Sequence, residues 1–309
     1  MSAVSLLAHA QTFPTRQVTL IVPYPAGGAS DFVARLIQPE YERQLAQTII
    51  VENVGGASGV IGVQRALDAA ADGHTQLLAT PMELVLAPLL LPAVKFKPED
   101  LRMVGLIAST SILLLVRSDV PAHTIDELLT WAGGRTLSFG SVGMGSQYHL
   151  MADKLATMAG LQVTHVPYKG VGPLLNDLVG KQIDAAFLPL AGPIPGMVKE
   201  GKVKAFGVAS PRPDPMFPDV APLSRHRLLP EFNFDIWIGV QVPAGTPEHA
   251  VARINAAINH VVQQPEVRTG LKGTGAAVAP AMTLRELDAL FKTEVVRYRA
   301  MASLLVPRQ

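Results

Sequence analysis

The chain has 309 residues, of which 49% are hydrophobic and 17% charged, and 26 Lys and Arg stand against 25 Asp and Glu. It is long enough for two domains or one large α/β domain, and its near-neutral balance excludes a basic footprint for nucleic acid or a polybasic membrane patch. Cysteine is absent, which excludes disulfides, thiolate metal sites and a cysteine nucleophile, and no run nears the roughly 18 apolar residues of a membrane span.

Near the start, Ala3-Val4-Ser5-Leu6-Leu7-Ala8-His9-Ala10 looks like the end of a secretory signal. Ala8-His9-Ala10 forms an A-x-A cleavage site before Gln11, although no basic n-region precedes it. Residues 1–10 are therefore expected to be the remnant of a signal peptide, and the protein is expected to be exported.

The β-branched run Val18 to Val22 predicts the first strand. It feeds Pro23-Tyr24-Pro25-Ala26-Gly27-Gly28-Ala29-Ser30-Asp31, and the apolar positions Phe32, Val33, Leu36 and Ile37 predict a helix to about Gln44, capped by Ser30 or Asp31. A loop of this kind aims unpaired backbone N–H groups and the positive end of the helix dipole at one point, where an anion is the natural occupant. Thr48 to Val51 reads as a strand, Gly55 to Gly62 as a second glycine cluster, and a helix then runs through Leu67. After the turn signal Asp72-Gly73, strands are expected at Gln76–Ala79, Val104–Ile107 and Ile112–Val116. Thr124, three residues before Glu127, has capping-box spacing at the next helix start.

From Leu137 the alternation begins again. A strand feeds Ser138-Phe139-Gly140-Ser141-Val142-Gly143-Met144-Gly145-Ser146 and a helix from about Tyr148. Val163 to Val166 feeds a third loop, Pro167-Tyr168-Lys169-Gly170-Val171-Gly172-Pro173, with Pro173 suited to a first helical turn. Strands follow at Ile183–Phe187 and Val203–Val208 with a helix between them, and residues 210–232 lack periodicity. A strand at Phe234–Val242 and helices at Pro247–Val262 and from Thr283 to about Ala300 complete the pattern. Alternation of this kind marks open α/β sheets with helices on both faces. Crossings near 112–117 and 210–235 divide it into a discontinuous lobe, 11–113 plus 235–309, and a continuous lobe, 114–234. A ligand is expected between them, outside the carboxyl ends of the strands.

Catalytic signatures are sparse. Gly180-Lys181-Gln182 lacks the hydroxyl of a phosphate loop, and neither Ser141 nor Ser146 lies in a G-x-S-x-G elbow. The histidines show no metal-ligand spacing, so neither a metal nor a cofactor is expected. A Ser146–His149 pair at a helix start keeps a hydrolase as the rival reading. Within the three anion-facing loops Lys169 is the cation and Asp31 the anion. An acid held there relies on backbone N–H groups, the hydroxyls of Ser30, Ser141 and Ser146, and water.

At these loops the sequence resembles the solute-binding receptors of tripartite tricarboxylate transporters, the Bug family. The likeness extends through Val51-Glu52-Asn53, Gly56-Ala57-Ser58-Gly59-Val60-Ile61-Gly62, Asp72-Gly73-His74-Thr75, Trp237-Ile238-Gly239 and Pro243-Ala244-Gly245-Thr246-Pro247. The resemblance implies a periplasmic binding protein of the type II, Venus-flytrap kind, with two α/β lobes, each an open sheet flanked by helices. It implies a monomeric, non-enzymatic receptor that binds a small carboxylate and hands it to membrane permease subunits. A ligand-binding partner of a signalling sensor is the alternative within the same class. Carried over, it points to Tyr24, Ala26, Gly27, Gly28, Ser30 and Asp31 on the first loop, and to Tyr168, Lys169 and Gly170. Ser141, Gly143 and Ser146 would line the opposing lobe. The chain departs from the family at Val54-Gly55-Gly56, where Arg-Pro-Gly is usual, at Thr80-Pro81-Met82-Glu83, and at the apolar Phe187-Leu188-Pro189-Leu190. With Met82, Leu188 and Leu190 facing the pocket, which Thr80 would also line, the ligand is expected to be a monocarboxylate with an apolar or aromatic body. An inward Glu83 would repel a second carboxylate or take a cationic group.

Overall fold

The computed structural model describes residues 13–303 apart from Gly145, Glu231 and Asp235, so the expected signal remnant at 1–10 lies outside the described residues. The chain begins with β1 (Val18–Val22), α1 (Ala29–Leu45), β2 (Ile49–Asn53), α2 (Val60–Leu67) and β3 (Thr75–Ala79). β1 lies between β2 and β3, parallel to both. Val18, Leu20 and Val22 face one core cluster and Ile21 another, so the strand is buried on both faces and reads as a continuous apolar run. After β3 the chain makes a π-helical turn, Met82–Leu86, runs into the short α3 (Ala87–Leu90), and returns as the long β4 (Leu101–Thr110).

The middle of the chain builds a second sheet. Its elements are β5 (Ile112–Arg117), α4 (Ile125–Ala132), β6 (Thr136–Ser141), α5 (Gln147–Ala159), β7 (Gln162–Pro167), α6 (Val171–Val179), β8 (Ala185–Pro189), α7 (Ile194–Lys199) and β9 (Val203–Val208). The chain then returns as β10 (Ile236–Pro243), followed by α8 (Glu248–Val261), α9 (Pro265–Gly273), β11 (Ala277–Val278) and α10 (Leu284–Ser303). The first sheet has the order β11-β4-β10-β3-β1-β2 and the second β7-β6-β8-β5-β9. Within the first, β10 runs antiparallel to both β3 and β4.

Packing ties the return strand to its own sheet and to α10. A Cβ at Gly105 of β4 would come within 2.6 Å of Ile258 on α8, so the missing side chain sets how closely that helix approaches the sheet. Trp237 of β10 donates from Nε1 to Oε2 of Glu294 on α10 at 3.1 Å. Phe139 and Phe187 of the second sheet stack in a row with Phe232 from the segment leading to β10, and Phe234 closes the row edge-on.

Some elements differ from the sequence reading. The helical stretch Met82–Leu90 and α9 were not legible in the apolar periodicity, and β8 sits two residues later than Ile183–Phe187. Pro265 starts α9 at its first turn, so the helix follows α8 almost without a loop.

Candidate functional site

The first loop, Pro25 to Ala29, is exposed and leads into α1. Gly28 is the helix N-cap, with no side-chain cap, so neither Ser30 nor Asp31 has the expected capping role. Asp31 instead folds back along the loop. Its Oδ2 accepts the Gly27 N–H at 2.9 Å, and its carboxylate pairs with Nε of Arg35 at 3.0 Å. Burial raises the Asp31 pKa, but the Arg35 and Gly27 hydrogen bonds outweigh it and hold the carboxyl below its usual range. Arg35 reaches on to Oδ1 of Asn53 at 3.3 Å, whose amide donates to the Tyr24 carbonyl at 3.1 Å. Asp31 therefore braces the loop from below, and its carboxylate occupies the Gly27 N–H. Gly27 itself has φ +82°, the left-handed region. Ala29 and Ser30 open α1, where N–H groups have no acceptor within the helix.

The loops of the second sheet are joined to each other. The Ser141 hydroxyl is fully buried, accepts the Gly143 N–H at 3.1 Å and lies 2.6 Å from Nε2 of His165 on β7. It shapes the loop from behind. The Tyr168 N–H donates to the Ser141 carbonyl at 2.8 Å and fixes the third loop beside the second. The Tyr168 hydroxyl turns to Oδ2 of Asp177 on α6 at 2.7 Å; burial and then that hydrogen bond push the phenol up to about 12. Its hydroxyl is thus committed to its own lobe. Lys169 is exposed, Gly170 is the extended N-cap of α6, and Gly143 has open space where a Cβ would point.

Ser146 caps α5, its Oγ accepting the His149 backbone N–H at 3.3 Å. The His149 ring stacks on His165 with centroids 3.9 Å apart and faces Asp153 at 3.4 Å. The hydrogen bond between Ser146 and His149 is a cap to the backbone.

Below the first loop, the segment after β3 carries a buried acid. Glu83 is 0% exposed, and its carboxylate accepts the Thr80 N–H at 2.6 Å, the Thr80 hydroxyl at 2.7 Å and the Tyr24 hydroxyl at 2.8 Å. Burial pushes its carboxyl up to about 7 against the pull of those donors. It also helps burial raise the phenol of Tyr148, which projects from the first turn of α5 on the other sheet. Met82 lines a small cavity with Ser58 from the first sheet's loops and with Met144 and Ser146 from the second. Met82 therefore lies next to the opposing loop, whereas Thr80 is bonded to Glu83 beneath the first loop. Leu188 lies elsewhere. It is 0% exposed and packs in the second sheet's core with Leu113, Leu174 and Leu190, so the apolar run at 187–190 belongs to folding. Tyr148, Arg35 and Asn53 were missing from the expected contacts; Glu83, four residues beyond β3, was anticipated as an inward-pointing acid.

A family model described as the tripartite tricarboxylate transporter family receptor matches residues 33–303. The chain belongs to this family. It is 34% identical over 292 residues to the UPF0065 protein in the tcbD-tcbE intergenic region of a Pseudomonas species, covering 94% of this chain and 86% of that one. It is 30% identical to protein BugT of Bordetella pertussis, covering 86% and 82%. Among solved structures it resembles MatC of Rhodopseudomonas palustris with bound malate, at a TM-score of 0.84 and 34% identity over 94% of this chain and 100% of that one. An R. palustris protein with adipate is similar at 0.85 and 27% identity, covering 94% and 97%. The periplasmic binding protein BugD is similar at 0.82 and 30%, covering 94% and 97%. The two helix-flanked sheets are thus the two-lobed fold of periplasmic binding proteins. Among the described residues, no helix of this receptor is long and apolar enough to cross a membrane.

Proposed function

We propose that this receptor binds a small carboxylate between two lobes, 11–113 with 235–309 and 114–234, and delivers it in the periplasm to the permease of a tripartite transporter. The observation that carries this reading is the exposed loop Pro25–Ala29 at the start of the 17-residue α1, braced from below by Asp31 and Arg35. Malate and adipate in the related structures support a carboxylate as the ligand class.

The physics is capture without chemistry. The first turn of α1 offers N–H groups and the positive end of a helix dipole, and the Ser146-capped start of α5 offers a second such terminus. Each helix terminus contributes ~0.3–1 kcal/mol to an anion, up to ~2 kcal/mol when partly buried. With direct and water-mediated hydrogen bonds, two termini support micromolar affinity, about −8 kcal/mol. Contacts from both lobes favour closure, because a ligand shifts a conformational equilibrium only through differential affinity. A monomer suffices for this role.

Purified protein titrated calorimetrically with aliphatic, aromatic and amino carboxylates tests the reading. Saturable one-to-one binding of at least one acid, competitive with the others, is the expected result. Heat signals indistinguishable from dilution for every class would overturn it.

A further inference from the structure

The buried acid beneath the first loop carries a statement about ligand choice. Glu83 sits beyond the carboxyl ends of β1 and β3, neighbours in the first sheet. It gathers the Thr80 N–H, the Thr80 hydroxyl and the Tyr24 hydroxyl on one carboxylate, while Tyr148 approaches from the other sheet. Thr80 and Tyr24, its hydrogen-bonding partners, are neutral. A Cβ at Gly59 would lie 2.8 Å from Cβ of Glu83, so the second glycine cluster presses on its stem and limits where the side chain can go.

We propose that Glu83 makes this receptor selective for monocarboxylates, because the protein's own carboxylate occupies the donors that a ligand's second carboxylate would need. The proposal rests on the carboxylate-receptor reading and narrows its ligand class. The chemistry is that of like charges. Two carboxylates sharing a desolvated site cannot both stay ionised without a cation, and none bridges Glu83 to the cleft among the contacts described. A dicarboxylate that reaches across from the α1 terminus finds the Thr80 and Tyr24 donors already taken. A ligand whose far end is apolar meets Met82 and Met144 on the way and loses nothing. The selectivity works by exclusion of the wrong ligand rather than by added attraction to the right one.

The test compares matched acids that share a skeleton: hexanoate with adipate, and benzoate with terephthalate. Calorimetric titrations use the wild type, Glu83→Gln and Glu83→Met. The wild type is expected to prefer the monocarboxylate of at least one pair by about tenfold or more, and either variant to narrow that preference by a similar factor. A merely structural role would weaken both members of a pair alike and leave the ratio unmoved, which would overturn the proposal. So would a wild type that binds the dicarboxylates as tightly as their partners, a result that needs no variant to fold. Silence from all four acids is a different failure: it overturns the receptor reading for these classes and the selectivity with it.

Discussion

The carboxylate of Asp31 holds the backbone N–H of Gly27 at 2.9 Å and the guanidinium of Arg35 at 3.0 Å, closing the first loop onto the helix that it starts. An anion facing that loop would be repelled by an exposed aspartate, but this one is 4% exposed and already paired. Asp31→Asn keeps the shape and weakens both bonds. Affinity for a carboxylate is expected to fall by roughly 5–30-fold, about 1–2 kcal/mol, in a titration at pH 7.5. A gain in affinity would instead mean that the carboxylate faces the ligand. Because its folded-state pKa is lowered, the stability that Asp31 contributes is present above its ordinary pKa and is lost as pH falls through the lower folded value.

Gly28 separates fold from function at the same loop. Its backbone is in the ordinary extended region, and a Cβ there would meet the Pro25 carbonyl at 3.5 Å, an unstrained contact. Gly28→Val is expected to unfold within about 1 kcal/mol of the wild type, the ordinary penalty for a poor N-cap. Carboxylate binding should drop by more than about tenfold, because the branched side chain covers the helix terminus. Chemical denaturation and titration of the same preparation check both halves.

Glu83 gives the molecule a pH signature. Its folded-state carboxyl is pushed up to about 7, above an unfolded value near 4.5. Between those values the folded state holds a proton that the unfolded state has released, so this contribution to stability falls as pH rises. Tyr24 and Tyr148, the phenols facing it, are themselves shifted upward and stay neutral through the window. Melting temperatures of wild type and Glu83→Gln should nearly coincide at pH 5 and diverge by pH 8, with the variant higher. Parallel curves would show that Glu83 stays ionised throughout.

Leu188 and Met82 should behave as opposites. Leu188→Ala removes a fully buried side chain from the second sheet's core and is expected to cost about 2–5 kcal/mol, with the ranking of acids unchanged. Met82→Ala, in the wall of the cavity shared with Met144 and Ser146, should change that ranking. Denaturant midpoints and a four-acid titration series distinguish them, and a reordered ranking in the Leu188 variant would return that residue to the cleft.

Much of the architecture was legible because strands such as β1 and β6 are short runs that feed glycine-rich loops. Val18–Val22 and Val203–Val208 were readable to the residue, and Thr124 caps its helix by accepting the Glu127 N–H at 3.2 Å. Positions on the loops were legible; directions of side chains were not. Tyr168 and Ser141 occupy the expected loops, yet their hydroxyls turn to Asp177 and His165, partners distant in sequence or on another element. Leu188 was misplaced because an apolar residue at a strand end suits a pocket wall and a core equally well. The brace at Asp31 was hidden for a related reason: an acid in a helix's first turn looks like a cap whether its carboxylate points forward or back.

Between β4 and β5 lies one residue, Ser111. Its hydroxyl donates to Oδ2 of Asp214 at 2.9 Å, and its carbonyl accepts the Leu190 N–H at 2.7 Å, so it is pinned to the second sheet. A joint this short pivots and does not slide. Any motion of one sheet against the other must therefore bend the chain at this joint, beside the contacts that hold Ser111 to Asp214 and Leu190.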